Sequence, residues 1–405
     1  QAALAQTKID TLKVQNLNEV IVKGVRAAKE APYAVANIRK SELKQFSCSG
    51  QELPFLLSRT PGILAWSENG IGTGTTYMRI RGAAGSRINV TLDGVALNSP
   101  EDQTVFWANM NSYSSLLGSI QVQRGVGSST NGDGAFGGSI SMATAAPSLT
   151  PTAEVTGSFG SYNTYHTGAS FSTGLLGKHL IFDGAYHETA TDGYVDGTAG
   201  RSGSYYGGLT WLSDNFKVSY KNIGNFEKTG QAWNGVLGGD YNSNFSLLQD
   251  GIRTYKDMYK AGLDKFNVLT GDMVRNDKGD YTITPYTLRD GSKWDKTTDN
   301  FYQNHNILSA TWTPGSHWSH SLSLHYTYGY GYYKEFKNNA KFAKFGLIYK
   351  DAEGNKVKKS DFIRKKGLTQ HTYGMVYNTN YKDEHWDVTV SYTHLRAHET
   401  LRHLV

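Results

Sequence analysis

The stretch Ser321–Tyr332, SLSLHYTYGYGY, alternates strictly between two kinds of side chain. Its even-numbered positions carry leucine and tyrosine, whereas its odd-numbered positions carry serine, histidine, threonine and glycine. A period of two residues is that of a β-strand, whose successive side chains point to opposite faces. In a soluble sandwich the apolar face would be the core. In a membrane barrel the apolar face would meet lipid and the polar face would line the lumen.

The same alternation continues on both sides of this stretch. Apolar residues occupy the even positions of 216–220 and of 386–392. The pattern predicts nine strands, at 152–158, 164–172, 178–189, 201–212, 215–227, 301–313, 317–332, 367–381 and 385–392. From the third strand onward the connections alternate between tight turns and long loops, the longest covering 228–300. Short turns on one rim and long loops on the other favour the membrane barrel over the sandwich.

Composition agrees with a β-rich chain. Of 405 residues, 45 are Gly and 26 are Tyr, whereas only 8 are Pro. No run approaches the ~18 apolar residues of a membrane-spanning helix, and the single Cys48 excludes a disulfide scaffold. The net charge of +6 permits binding to an anionic surface or to nucleic acid. No cluster of Lys and Arg is dense enough to indicate either, so we predict no nucleic-acid partner.

The residues before the predicted barrel divide into two parts. We predict an N-terminal tail over 1–40 and a small α+β domain over 41–146, followed by the barrel over 147–392. In the α+β domain, Ser49 and Glu52 have the spacing of a capping box at the start of a short helix. Short alternating strands follow at 78–81, 88–93 and 120–123.

Five motifs succeed one another in the α+β domain. They are LP and TPGI within 53–63, MRIRG at 78–82, VTLDGV at 90–95, IQVQRGVGS at 120–128 and GAFGGSI at 134–140. In this order they resemble the plug domain of the TonB-dependent receptors of Gram-negative outer membranes. Residues 17–24 look like the TonB box of that family, and 157–164 look like the usual opening of its barrel.

The resemblance implies a plug folded inside a barrel of about 22 strands, so we expect this chain to be a fragment. It also implies three partners: the periplasmic C-terminal domain of TonB, outer-membrane lipid, and a small-molecule or metal-chelate ligand. The residues expected to bind TonB are Leu17, Asn18, Glu19, Val20, Ile21 and Val22.

Two further groups of residues are candidates for the functional site. Three arginines on alternating plug strands are expected to form ion pairs with carboxylates of the barrel wall, namely Arg79, Arg81 and Arg124. In the family, the irregular stretch after Leu97 reaches an outward-facing plug apex that meets the substrate. The substrate-binding candidates are Glu101, Asp102, Phe106 and Trp107 from that stretch and Trp233 from the longest loop.

The sequence contains no complete enzyme motif. Residues 132–137 match G-x-G-x-x-G, but a strand and not a helix follows, so no helix N-terminus is available for a pyrophosphate. Cys48 has no histidine near it in sequence, and no G-x-S-x-G motif is present. We therefore predict a protein that is not an enzyme and that has no cofactor and no metal site.

The last residues, 393–405, break the final strand after Tyr392 without a turn. His394 and His398 have a spacing that could bind a metal on a helix, but no second pair of ligands accompanies them. We predict a non-native tail that has no partner in the sheet.

The function that these features favour is import across the outer membrane of a scarce, bulky nutrient such as a ferric siderophore, with energy relayed by TonB. Two alternatives remain open from the sequence. One is a passive porin-like channel, which a plugged lumen disfavours. The other is a TonB-dependent glycan importer.

Overall fold

The structure, a computed structural model, describes residues 26–27, 34–99, 102–126, 135–236 and 250–404. Its first part is a mixed sheet with two helices. The elements are β1 (Ala34–Arg39), α1 (Lys40–Ser47), α2 (Leu53–Leu57), β2 (Ile63–Ser67), β3 (Thr76–Ile80), β4 (Ile88–Leu92), β5 (Val95–Ala96), β6 (Leu117–Arg124) and β7 (Gly138–Thr144). The main sheet has the order β1-β6-β7-β4-β5, and β2 and β3 form a separate hairpin. The predicted α+β plug is confirmed.

The plug has an apolar core that extends to the wall of the second sheet. Ile120, Ile140 and Met142 on its strands are almost completely buried. Ile223 and Ile307, which belong to the second sheet, pack in the same cluster. Since each fully buried aliphatic side chain contributes about 1.5–3 kcal/mol, this packing fixes the plug directly against the wall.

Two details of the plug differ from the sequence prediction. Helix α2 forms where predicted, but Glu52 at its N-cap makes no side-chain cap and Ser49 bonds back to Phe46, so the predicted capping box is wrong. The Glu52 carboxylate is engaged instead by Asn111 and the Ser112 amide, which are distant in sequence. Strand β1 pairs with β6, so the plug begins before the predicted boundary at residue 41.

The second part is a sheet of nine antiparallel strands that follow one another in chain order. They are β8 (Thr152–Phe159), β9 (Tyr165–Ser172), β10 (Leu180–Thr191), β11 (Gly200–Leu212), β12 (Phe216–Gln231), β15 (Thr297–Trp312), β16 (Trp318–Lys341), β19 (Lys359–Lys382) and β20 (Asp387–Leu404). All nine predicted strands are present. Strands β16 and β19 are each 24 residues long, which is far more than the roughly 9–11 residues that cross a bilayer.

The two faces of this sheet have the burial expected of a membrane barrel. In β16 the odd-numbered Ser321 and Ser323 are each only 3% exposed on the inner face of the sheet, whereas Leu324 and Tyr330 are 43% and 49% exposed. Polar residues inside and apolar residues outside reverse the rule for a soluble sandwich. Aromatic residues also collect near the short-turn rim, as in an interfacial girdle. They include Trp211, Phe216, Trp312, Trp318 and Trp386.

The long connections contain structure of their own. Between β12 and β15 lie α3 (Tyr255–Lys260), β13 (Gly271–Arg275) and β14 (Tyr281–Pro285), whose apolar side chains form a small core. Between β16 and β19 lie β17 (Tyr349–Lys350) and β18 (Lys356–Val357). No helix among the described residues is long and apolar enough to cross a membrane.

The chain after Tyr392 does not leave the sheet. Strand β20 continues to Leu404, with Thr393 opposite Val376 and Leu404 opposite Lys365. The prediction that 393–405 would have no partner in the sheet is therefore wrong for the residues described. The free edge of β19 offers a row of backbone donors and acceptors, which an extended segment of almost any sequence can pair with.

Candidate functional site

A buried ion pair joins the plug to the wall. Asp93 follows β4 in a left-handed conformation with φ 50°, which turns the chain toward β5. Its carboxylate accepts hydrogen bonds from the Thr144 amide at 3.0 Å and the Thr144 hydroxyl at 2.8 Å. The ammonium of Lys221 on β12 lies 2.6 Å from the same carboxylate. Burial alone would raise the pKa of Asp93, but Lys221 and Thr144 outweigh it and hold that pKa below its ordinary value.

A second contact lies where the β2–β3 hairpin meets the long-loop rim. The carboxylate of Glu68, which is 8% exposed, accepts hydrogen bonds from the Tyr77 hydroxyl at 2.6 Å and from the Ala232 amide at 2.8 Å. On the other side of the hairpin tip, the Tyr194 amide donates to the Asn69 carbonyl at 2.9 Å. Burial raises the pKa of Glu68 to about 7, in spite of the hydrogen bonds it accepts. Two loops of the wall therefore hold the hairpin tip by hydrogen bonds, one through Ala232 and the other through Tyr194.

A third buried carboxylate lies within the plug. Glu52 is 2% exposed and binds the Asn111 amide side chain at 3.0 Å, which fixes the irregular stretch after β5 to the start of α2. Burial raises the pKa of Glu52 to about 8, although Asn111 and Ser112 donate hydrogen bonds to it. Among the described residues, no three His, Cys, Asp or Glu side chains come together in a way that could hold a metal ion.

The three arginines predicted to pair with the wall make no such pair within the described residues. In the part of the chain that the structure describes, none of them forms an ion pair. Arg79 is exposed and lies over the Trp66 ring at 5.9 Å, and Arg81 is exposed after β3. Arg124 donates to the Pro61 carbonyl at 2.7 Å, within the plug itself. The alternation of β3 directs Arg79 away from the core side. Within the described residues, the buried ion pair between plug and wall is that of Lys221 with Asp93, which the sequence did not reveal.

The predicted substrate contacts are not brought together. Trp107 is 6% exposed and belongs to the plug core, so it cannot touch a ligand as the chain is folded. Phe106 is 57% exposed, and Asp102 accepts hydrogen bonds from Thr104 in its own turn. Trp233 lies apart from them at the long-loop rim, edge-to-face with Tyr333 at 5.9 Å. Glu101 lies outside the described residues.

The predicted TonB-binding residues 17–22 also lie outside the described residues. The structure does place Arg26, which follows them. Its guanidinium donates to the Ser119 hydroxyl at 2.9 Å and to the Ser141 carbonyl at 2.9 Å, and the Ala27 amide donates to the Gln121 side chain at 2.7 Å. Because Ser119 and Ser141 lie on β6 and β7, this short segment is attached to two strands of the plug sheet.

The sequence motifs gave little warning of these contacts. Lys221 and Glu68 stand singly in the sequence, with no spacing that marks a pair, and their partners are 128 and 164 residues away. Alternation correctly places Lys221 on the inner face of β12. It cannot tell which plug residue lies opposite.

Known proteins resemble this chain in both of its parts, the plug and the wall. A sequence model of the TonB-dependent receptor plug domain matches residues 27–139. Among solved structures, the chain is similar to the ferripyoverdine receptor of the Pseudomonas aeruginosa outer membrane, with 10% identity and a TM-score of 0.59, over 93% of this chain and 43% of that one. No curated protein matches.

Two further solved structures are similar over the same extent. The ferric-catecholate import receptor Fiu from E. coli K12, in its closed form, has 12% identity and a TM-score of 0.59, over 93% of this chain and 48% of that one. BauA, the ferric preacinetobactin receptor from Acinetobacter baumannii, has 12% identity and a TM-score of 0.60, over 93% and 49%. The chain thus spans less than half the length of these receptors.

Fold and interface together define part of the wall of a β-barrel with a plug domain packed against its inner face. Residues 27–139 match the TonB-dependent receptor plug domain, and the chain as a whole has the fold of these receptors. The prediction made from the five motifs is confirmed for the plug domain.

Proposed function

We propose that this chain belongs to an energy-coupled importer of a scarce, bulky nutrient of the ferric-siderophore kind, in which TonB supplies the work. The single observation that carries the proposal is the way the plug fills the space against the wall. Ile223 and Ile307 of the wall pack in the plug core, and Asp93 is paired with Lys221. These contacts hold the plug against the wall, and in the proposed mechanism a large solute passes only when the plug moves.

Displacing the plug from the wall costs free energy, and a passive channel has no energy source that could supply it. The plug must give up the hydrogen-bonded contact between Lys221 and Asp93, of a kind worth about 1.5–3 kcal/mol, and the Glu68 contacts at the rim add to this. Ligand binding at the outer mouth can offset part of the cost, and a pull from the periplasm can supply the rest. A passive porin-like channel is therefore the less favoured alternative.

The segment on which TonB is proposed to pull is the TonB box, Leu17–Val22. A short extended segment can pair edge-on with a strand of TonB, where backbone hydrogen bonds resist a pull along the strand. Arg26 supports this role, since it attaches the chain just after the box to β6 and β7. A pull on the box would then act first on those two strands.

The proposed ligand-facing residues are Asp102, Phe106 and Trp233, together with Glu101. The exposure of Phe106 and Trp233, 57% and 39%, supports contact with an incoming ligand. The ferric chelates named for the three solved receptors suggest the ligand class. A TonB-dependent glycan importer is the alternative ligand assignment.

The test of ligand class uses cells that carry the full-length natural protein as their only receptor of this kind. They are supplied with radioactive iron as ferric catecholates, ferric hydroxamates or haem, and in parallel with labelled maltooligosaccharides. Iron uptake that depends on the receptor supports the proposal. Uptake of oligosaccharide alone would transfer the assignment to the glycan importers.

A further inference from the structure

One part of the wall carries a charge excess that the sequence prediction overlooked. Residues 334–366, here called the basic arm, contain eleven Lys and Arg against four Asp and Glu, a net charge of +7 in a chain whose total is +6. The arm consists of the outer ends of β16 and β19 with the loop between them. Phe342 and Phe345 pack on Phe362 with ring centroids 5.8 and 5.1 Å apart, so the arm has a small aromatic core.

On the inner face of the arm the charges are matched. Glu335 lies directly opposite Arg364 in the strand register, and the two form an ion pair. Lys337 lies 2.7 Å from the same carboxylate. Opposite charges facing each other across a strand pair stabilise it.

On the outer face the charges are mismatched. Lys334 lies directly opposite Lys365 in the same register, and within the described chain neither forms an ion pair with a carboxylate. Like charges directly opposite each other are destabilising. An anion held between the two ammonium groups would remove the repulsion. We call Lys334 and Lys365 the rim pair.

The position of the rim pair along the strand indicates which anion is available to bind there. Lys334 shares the outer face of β16 with Leu324 and Tyr330, which face lipid, and it follows Tyr332 by two positions, about 7 Å along the strand. Interfacial tyrosines mark the headgroup level of a bilayer. The Lys365 ammonium lies 3.7 Å above the Tyr332 ring, which keeps its charge at that level.

Shape supports the same occupant. Tyr332, Lys365 and Gly367 line a groove of about 330 Å³, which Glu227 also lines. The Lys334 ammonium lies beside this groove, 5.9 Å from the centre of the Tyr332 ring. Gly367 is the residue opposite Tyr332, so no side chain fills the space over the ring from the neighbouring strand. We propose that the rim pair and Tyr332 form a binding site for the phosphate of a lipid headgroup in the outer leaflet, with the rest of the basic arm adding long-range attraction.

The test uses the purified full-length protein in a neutral detergent, and fluorescent bis-phosphorylated lipid A as the probe. Each lysine near an anionic lipid contributes roughly a fivefold change in affinity, so the double variant Lys334→Gln, Lys365→Gln should raise Kd about 30-fold. The matched control, Lys356→Gln, Lys358→Gln, removes the same charge from the loop end of the arm. It should change Kd by less than about threefold.

Two further measurements separate the site from general attraction. Dephosphorylated lipid A should bind the wild type and the rim variant equally, and inorganic phosphate at the probe concentration should not compete. Equal losses in the rim variant and the control variant would overturn the proposal, as would unchanged affinity in the rim variant. Displacement by inorganic phosphate would show a site for a soluble anion and would also overturn it. No readout involves transport, so the result is independent of the proposed import function.

Discussion

The ion pair between Asp93 and Lys221 should hold the plug against the wall, and Lys221→Met tests this. Methionine keeps most of the side-chain volume but leaves the Asp93 carboxylate buried without its cation. Breaking a buried pair in this way costs about 3–5 kcal/mol. Asp93 keeps its two hydrogen bonds from Thr144, so we expect the lower end of that range.

A loss of about 3 kcal/mol corresponds to a roughly 150-fold rise in the opening equilibrium. Hydrogen exchange of the full-length protein in lipid nanodiscs measures it at the amides of β4 and β7, which end next to Asp93 and Thr144 and exchange when this part of the plug sheet opens. The matched control is Lys217→Met. Lys217 lies four residues away on the same face of β12, is 4% exposed, and forms no ion pair with any described residue. Its removal should leave exchange of β4 and β7 unchanged or slower.

Unchanged exchange in Lys221→Met would refute the reasoning. Equal acceleration in both lysine variants would also refute it, since that would reflect disturbance of β12 and not loss of the pair. The double variant Asp93→Asn, Lys221→Met should be less destabilised than the sum of the single variants, because no buried charge is then left alone.

Two further predictions concern the rim and the lipid face. The pKa of Glu68 is raised to about 7 from an ordinary 4.5, so the docked plug keeps a proton that the opened plug loses, and plug stability should fall as the pH rises from about 4.5 to 7. Glu68→Gln should make this fall smaller in denaturant midpoints measured across that range, and the remainder comes from groups such as Glu52, whose pKa is raised to about 8. A variant as pH-dependent as the wild type would contradict the prediction. Leu324→Arg should destabilise the barrel in bilayers by about 2–4 kcal/mol if its face meets lipid near the midplane, whereas Ile348→Arg on the 79%-exposed loop position should be neutral; equal folding free energies would contradict the lipid assignment.

The fold was largely predictable because membrane strands repeat one simple rule. The alternation in Ser321–Tyr332 sets the face of every residue, and the same period locates all nine strands of the second sheet. The predicted bounds were too short at the outer ends of β15, β16 and β19, where the chain rises above lipid and the apolar face no longer alternates. Helix α1, with only Leu43, Phe46 and Ser47 buried, is too short for its period to stand out.

The site was less predictable because it depends on which residues meet across the plug and the wall. A periodic pattern places Lys221 inward, but the height at which Asp93 meets it follows from the packing of the whole plug. Trp107 illustrates the same limit. It stands beside acidic residues in an irregular stretch, which predicted a ligand contact, but its side chain is buried in the plug core. The prediction for residues 393–405 was wrong for a different reason. The edge of β19 forms hydrogen bonds with the backbone of a neighbouring segment, whatever side chains that segment carries.

The central claim is that import through this protein depends on a pull at the TonB box, and Val20→Pro tests it most directly. Proline removes a ladder donor and fixes φ, so it should prevent pairing with TonB and leave the plug and loops intact. Cells with the full-length variant receive the radioactive ferric chelate that the wild type imports, and surface binding and uptake are measured separately. We predict wild-type binding with uptake reduced to that of cells lacking TonB. Uptake at the wild-type rate would contradict the claim.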